Sequence, residues 1–195
     1  MKILPTFAVT AAAACVLAAA TALAAPAKYT IDSDHTFPSF KADHLGGLSN
    51  WRGKFNKTSG SVVLDKEAQT GSIEVKIDTA SIDFGHDKLN EHAKSPDMFD
   101  VAKFPTATYT GKLMKFKNGA PTEAEGTLTL HGVTKPVTLK INSFVCKPHP
   151  IKKKEVCGAD ATATINREEF GVGYGKAYGF KMDTELQIQV EANAS

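Results

Sequence analysis

Residues Gly126–Ser143 have the sequence GTLTLHGVTKPVTLKINS, and this stretch decides the fold class. Leu128 and Leu130 alternate with threonines, and valine, leucine and isoleucine again occupy every second position in the second half. Alternation with a period of two is typical of a β-strand that has one buried side and one solvent-facing side. The stretch therefore predicts two antiparallel strands that are joined through the turn formers of Gly132–Pro136.

The same alternation recurs in both directions along the chain. It is clearest at Ser72–Asp78 and Asp183–Glu191, and it is also present at Pro38–His44 and Ala159–Ile165. With turn formers between these segments, we count about eight strands and predict an all-β, antiparallel domain. Eight such strands close as a β-barrel or stack as a sandwich, and alternation alone does not separate the two.

Two places depart from simple alternation. Residues 87–100 lack it; Asp87 is a candidate N-cap and Pro96 opens a second short turn, so we expect a short helical insertion that lies as a lid over one end of a barrel. After Gly111 the apolar residues change phase, because Leu113 is followed by Met114. A β-bulge near Gly111 would account for this change.

The N-terminal residues 1–24 are predicted to be a secretory signal peptide. Lys2 precedes the apolar run Phe7–Leu23, and Ala22-Leu23-Ala24 supplies a small-x-small cleavage site. The run is shorter than the ~20 residues that a bilayer-spanning helix needs, which disfavours an anchor. We expect a periplasmic or otherwise exported protein with one domain, residues 25–195, and without stable membrane insertion.

The cysteines agree with export. Cys15 would leave with the signal peptide, and Cys146 and Cys157 would remain as an even pair in a compartment where disulfides persist. Prolines and lysines in Lys147–Val156 indicate a long hairpin loop, and a disulfide would join its two ends. Two free thiols or a redox dithiol are less compatible with this spacing.

Composition and motifs exclude several classes of function. The formal net charge of +2 is not that of a nucleic-acid-binding domain. No nucleophile elbow or catalytic triad order occurs, and His86 and His92 are six residues apart, off the spacing of a helical metal site. The glycine run Gly171–Gly175 opens no helix. We predict no enzymatic activity, no metal and no cofactor.

Several motifs resemble one family. Gly126–Val137 resembles the G-x-L-T-h-H-G-V-T-K-P-V signature of the YceI-like polyisoprenoid-binding family, and Ile165–Gly171 is similar to its N-R-x-x-F-G segment. Ser95–Asp100 resembles the stretch after its helical insertion. The position of the family's N-terminal D-x-H and F-x-V-x-H pattern is occupied here by Asp34, His35, Phe40 and His44. The resemblance runs from about Tyr29 to Val190.

The resemblance implies an eight-stranded, lipocalin-like barrel that takes a long isoprenoid or lipid chain into its interior. The small Ala161 and Ala163 on the apolar face of one strand leave space for such a chain; the alternative is that bulky neighbours such as Phe40 or Phe55 occupy it. The expected ligand-binding residues are Phe40, Ala42, His44, Ile73, Val75, Ile77, Met98, Phe99, Leu128, Leu130, Ala161, Ala163 and Phe170.

The function predicted from these features is that of an exported, soluble carrier or store for an isoprenoid, a quinone or a similar long-chain amphiphile. One alternative is an enzyme that acts on such a lipid, with His44 or His35 as acid–base. Another is a barrel filled by its own side chains that binds an envelope protein. The sequence does not decide whether the protein forms a homodimer.

Overall fold

The computed structural model describes residues 25–195, and its strands form one antiparallel sheet. The predicted signal peptide, residues 1–24, lies outside the described residues. The elements are β1 (Ala27–Ile31), β2 (Phe37–His44), β3 (Ser49–Phe55), β4 (Thr58–Asp65), β5 (Thr70–Asp78), β6 (Ile82–Asp83), α1 (Asp87–Lys94), β7 (Thr106–Met114), β8 (Glu123–Leu130), β9 (Val133–Pro148), β10 (Glu155–Asn166) and β11 (Asp183–Ala194). Short 3-10 turns join some of them.

Strand β11 closes the barrel. One of its edges pairs with β10 along almost its whole length, and its other edge is shared by β1 at one end and β2 at the other. Because β1 also pairs with β4, the strands β1, β4, β5, β7, β8, β9, β10 and β11 form a closed ring. The predicted eight-stranded antiparallel barrel is therefore confirmed, and the sandwich is excluded.

Three strands extend the sheet beyond the ring. β2 leaves β11 and pairs with β3, and the end of β3 pairs with the short β6, which leads into α1. This extension, α1 and residues 166–182 lie at one end of the barrel, which we call the open end. We call the opposite end the closed end; its interior row of buried side chains consists of Tyr29, Leu64, Leu113, Ala124 and Leu139.

The predicted helical insertion is confirmed, with one correction to its start. α1 spans Asp87–Lys94, and its N-cap is His86 rather than Asp87. The His86 Nδ1 accepts a hydrogen bond from the Leu89 N–H at 3.2 Å, so the imidazole satisfies a donor that the first helical turn leaves free. Within residues 25–195, no helix combines the length and apolar character needed to cross a membrane.

The turn between β8 and β9 is tighter than predicted. Only His131 and Gly132 separate the strands, and both have positive φ, 50° and 76°. Two successive residues with positive φ give a hairpin turn whose twist matches that of the flanking strands. The expected connector Gly132–Pro136 is wrong, because Pro136 already lies in β9 opposite Thr127.

The predicted β-bulge near Gly111 is also wrong. The pairing of β7 with β5 and β8 runs without a shift through Gly111, and Leu113 stays in phase with Tyr109 on the interior face. Met114 is simply the outward residue at the end of the strand, with 37% of its surface exposed. A register shift does occur in another part of the sheet, at Asp160/Ala161, where β10 pairs with β9.

The predicted pairing of Cys146 with Cys157 is confirmed. The two residues lie directly opposite one another in the β9–β10 ladder. Their position corrects the expected geometry, because the strands continue past the disulfide to Pro148 and from Glu155, and the connecting loop is shorter than Lys147–Val156. The disulfide therefore ties two paired strands near the closed end.

A buried tyrosine fixes the closed end. The Tyr29 hydroxyl donates to the Glu155 carboxylate at 2.5 Å, and the Lys66 ammonium donates to the same carboxylate at 2.6 Å. The bond from Lys66, followed by that from Tyr29, lowers the pKa of Glu155, and burial together with Glu155 raises the pKa of Tyr29 to about 12. Both groups therefore keep their hydrogen-bonded forms at neutral pH.

Candidate ligand-binding cavity

The barrel encloses a cavity of about 600 Å³. Its wall consists mainly of aliphatic and aromatic side chains from the interior faces of the strands, with additions from α1 and the segment that follows it. Cavities of several hundred Å³ with apolar walls and few polar groups are typical of small-molecule sites. Phe40 and Phe55 pack against each other with ring centroids 6.0 Å apart, yet they leave this volume unfilled by side chains.

Most residues expected from the sequence to bind a ligand are brought together in the cavity wall. The wall contains Phe40, Ala42, His44, Ile73, Val75, Ile77, Met98, Phe99, Leu128, Leu130 and Ala161. Ala163 and Phe170 do not line the cavity. Ala163 packs against the surrounding core, and Phe170 is buried in the core on the 3-10 turn Arg167–Phe170 that follows β10.

The structure adds wall residues that sequence reasoning missed. One group lies on strands and shares the alternation that was available in the sequence: Tyr29, Val62, Leu64, Tyr109, Leu113, Val137, Leu139, Ile141, Leu186, Ile188 and Val190. A second group comes from segments without that pattern: Phe84, Val172, Tyr174 and Phe180. No local signal marks the second group, because the fold alone brings these segments over the open end.

The cavity reaches solvent at the open end. Among the described residues that line it, the exposed ones are Trp51, His86, Lys88 and Tyr174, and all four lie at this end. The wall residues at the closed end, such as Tyr29 and Leu64, are almost completely buried. The entrance of the cavity therefore lies between α1, β3 and residues 171–182.

Imidazole and aromatic rings surround this entrance. The His44 ring lies edge-on to Phe180 at 5.0 Å between centroids and to Trp51 at 6.3 Å. The centroids of the His92 and Tyr174 rings are 4.5 Å apart, and the His92 Nε2 is buried without a hydrogen-bond partner among the described residues. The inward direction predicted for His44 agrees with its position in the wall.

Arg167 fixes the backbone of residues 172–174 at the entrance. Its guanidinium donates to the carbonyl oxygens of Val172 at 2.6 Å and Tyr174 at 2.8 Å, and it also lines the cavity. Burial lowers the pKa of Arg167, and the nearby carboxylates of Asp43 and Glu168 partly offset this effect. A guanidinium keeps its charge under these conditions, so Arg167 places a fixed cation at the polar end of an apolar cavity.

Among the described residues, neither His44 nor His35 is paired in the cavity with a carboxylate that could act with it in acid–base catalysis. The Asp43 carboxylate accepts from the backbone N–H groups of Gly46 and Lys181, each at 2.9 Å, and forms no hydrogen bond with His44. His35, the other histidine of the enzymatic alternative, lies outside the cavity beside Asp32. Cys146, Glu155 and Cys157 lie close together, but the disulfide removes the thiolates that a metal ion would need.

Comparison with known proteins places this barrel in a family. The family model of the YceI-like domain matches residues 29–194. The chain belongs to the YceI-like family. A UPF0312 protein of Pseudomonas putida (strain W619) is 32% identical over 185 residues, which cover 94% of this chain and 95% of that protein.

Solved structures show the same fold. Burkholderia cenocepacia BcnA superposes with a TM-score of 0.65 at 21% identity, covering 83% of this chain and 98% of that chain. A polyisoprenoid-binding domain from Saccharophagus degradans has a TM-score of 0.62 at 15% identity, covering 86% and 98%. At these identities the likeness concerns the fold of the YceI-like barrel.

Proposed function

We propose that this YceI-like protein is an exported carrier or store that holds the chain of an isoprenoid, a quinone or a similar amphiphile inside its barrel. The observation that carries the proposal is the apolar cavity of about 600 Å³ with its opening at one end only of the described barrel. The solved relative that is described as a polyisoprenoid-binding domain has the same fold and supports the assignment.

The apolar wall provides the affinity. Burying each methylene group of a chain contributes roughly 0.8 kcal/mol, so ten methylenes contribute about 8 kcal/mol before the cost of ordering the chain is subtracted. Such a wall is not selective between chains of similar width. Selectivity therefore has to come from the length of the cavity and from the polar groups at the open end.

The polar head of the ligand would lie at the open end. There Arg167 supplies a cation, while His44 and His92 supply imidazole nitrogens, and the unpartnered His92 Nε2 is available to a ligand oxygen. The closed end offers buried apolar side chains and the Tyr29 hydroxyl, which Glu155 already engages. This polarity orients the ligand with its chain inward and its oxygen-bearing head toward the entrance.

Mass spectrometry of lipid extracted from the purified protein tests the proposal. We expect a long-chain lipid in roughly stoichiometric amount, because ten or more buried methylenes give a complex that survives purification. An apolar compound that is converted during incubation would instead support the enzymatic alternative. Protein that remains free of lipid after expression and after incubation with membrane lipid extract would contradict the carrier proposal.

Export predicts a specific covalent form of the protein. Intact-mass measurement of protein recovered from the periplasmic fraction should give a chain that starts at Ala25 or within one or two residues of it. The mass should also be lower by two hydrogen atoms than that of the reduced chain, because Cys146 and Cys157 are joined. Stable protein that keeps Met1, with Cys146 and Cys157 reduced, would contradict export.

A further inference from the structure

Exposed apolar side chains are concentrated around the entrance of the cavity. Two rim loops, residues 45–48 and 171–182, flank it. Large apolar residues that are exposed in these loops and the adjoining β3 are Leu45, Leu48, Trp51, Tyr174 and Tyr178, with exposures of 47%, 75%, 38%, 39% and 67%. Isolated exposed apolar residues are ordinary, but a contiguous group next to a cavity entrance marks an interaction surface.

The two rim loops form one continuous surface. Asp43 joins them, because its Oδ2 accepts from the Gly46 N–H of one loop and from the Lys181 N–H of the other. The backbones are so close that a Cβ added at Gly46 would lie 3.1 Å from the Gly179 carbonyl oxygen. The apolar residues of both loops are thus held on the same face of the molecule.

The rim loops themselves carry only basic charged residues, while the adjoining Asp43 and Glu168 are acidic. Neither rim loop contains an acidic residue, and its charged residues are Lys176 and Lys181. Lys176 pairs with Glu168, whereas Lys181 forms no ion pair within the described chain. The neighbouring α1 contributes both signs, Asp87 and Glu91 against two lysines, and adds little net charge.

We propose that the rim loops dock the protein onto the surface of an anionic phospholipid bilayer, with the cavity entrance facing the lipid. Tryptophan and tyrosine favour the boundary between hydrocarbon and headgroups, and lysines are attracted to anionic headgroups. This inference rests on the proposed function, because a carried chain must cross this rim when it leaves or enters a membrane. Docking here would let it pass without crossing water.

The position of the rim loops beside the cavity entrance favours a membrane over a second copy of the chain as the binding partner. A second copy on these loops would cover the entrance through which the ligand passes. The exposed glycines at positions 46, 47, 171 and 179 keep the loop surface low between its apolar side chains. Apolar side chains that project from such a low surface fit a fluid lipid layer, which adapts to them, better than a rigid protein face.

Vesicle binding tests the proposal with a built-in probe. Trp51 is the one tryptophan of the sequence and lies at the rim. We expect its emission to shift to shorter wavelength with vesicles of equal parts phosphatidylcholine and phosphatidylglycerol, and the protein to float with them, both more strongly than with phosphatidylcholine alone. The double variant Leu48→Ser and Tyr178→Ser should bind these vesicles about tenfold more weakly, because it removes two apolar side chains that do not line the cavity.

Ile151→Ser is the matched control. Ile151 is 84% exposed, beside Lys152 and Lys153 on the hairpin near the closed end, so it offers the same chemistry away from the entrance. Its vesicle binding should stay within about twofold of the parent. All variants are compared in one processing state, checked by intact mass, so that any contribution of residues 1–24 is common to them.

Three results would overturn the docking proposal. They are a parent that does not bind these vesicles, a control variant that loses binding as much as the rim variant does, and a rim variant whose only change is loss of a dimer in sedimentation. Lipid content is measured on the same samples. A rim variant that keeps its lipid but no longer floats supports docking, and a parent that floats without ever holding lipid retains docking while the carrier function fails.

Discussion

Ala161→Phe is expected to remove most lipid binding while the barrel stays folded. Ala161 is buried in the wall on β10, and a phenyl ring added there points into the cavity. If the ring displaces about three methylenes of a bound chain, the loss is ~2.4 kcal/mol, or about fiftyfold in affinity. Lipid content by mass spectrometry and thermal unfolding of the delipidated protein measure the two effects separately.

Thr138→Phe is the control for this change. Thr138 lies on the outer face of β9 between the wall residues Val137 and Leu139. The substitution therefore adds the same ring to the same barrel, but outside the cavity. Lipid content should be unchanged. If Ala161→Phe instead destabilised the delipidated protein by the about 1–3 kcal/mol typical of an overpacked core, the interior would be a packed core and the carrier function would fail.

Gly126→Ala is expected to destabilise the barrel by about 3 kcal/mol. A Cβ at Gly126 would lie 2.2 Å from the carbonyl oxygen of Thr110 and 2.7 Å from the Cα of Gly111, so the backbone of two paired strands would have to move. The Tyr109 ring lies beside Gly111, and its hydroxyl donates to the Ala124 and Val137 carbonyl oxygens across two strands. Denaturant unfolding measures the loss.

Gly158→Ala provides the comparison for Gly126. The atoms nearest to an added Cβ at Gly158 are 3.7 Å away, which is ordinary van der Waals contact, and this position has no positive φ. A tolerated glycine-to-alanine change stabilises the folded protein by about 0.4–1 kcal/mol, because it reduces the conformational entropy of the unfolded chain. The changes in unfolding free energy of the two variants should therefore have opposite signs. Equal effects at both positions would show that close strand approach at Gly126 is not what requires glycine.

The β-bulge predicted near Gly111 is absent because Gly111 lies against the backbone of the neighbouring strand at Gly126. Sequence alternation assumes that each apolar position is filled by a side chain, so the change of phase after Gly111 suggested a bulge. In the structure the ladder is regular, and the missing side chain at Gly111 gives room to the ring of Tyr109. Close approach of two backbones depends on the partner strand, which no single stretch of sequence reveals.

The wall of the cavity was predictable where it consists of strands. Ile73, Val75, Ile77 and Leu128 alternate with polar residues, and all of them line the cavity. The entrance was not predictable in the same way. Tyr174 comes from an irregular glycine-rich segment that the sequence indicates only as a flexible loop.

The sequence by itself determined the all-β class, the helical insertion and the pairing of Cys146 with Cys157, because the alternation with a period of two, its interruption at residues 87–100 and the number and spacing of the cysteines are local features. The tertiary structure decided that the sheet closes as a barrel, that its interior keeps a cavity and that the rim loops meet at the entrance. These features depend on contacts between distant residues, such as the bond from the Lys181 N–H to the Asp43 carboxylate and the sharing of one edge of β11 by β1 and β2.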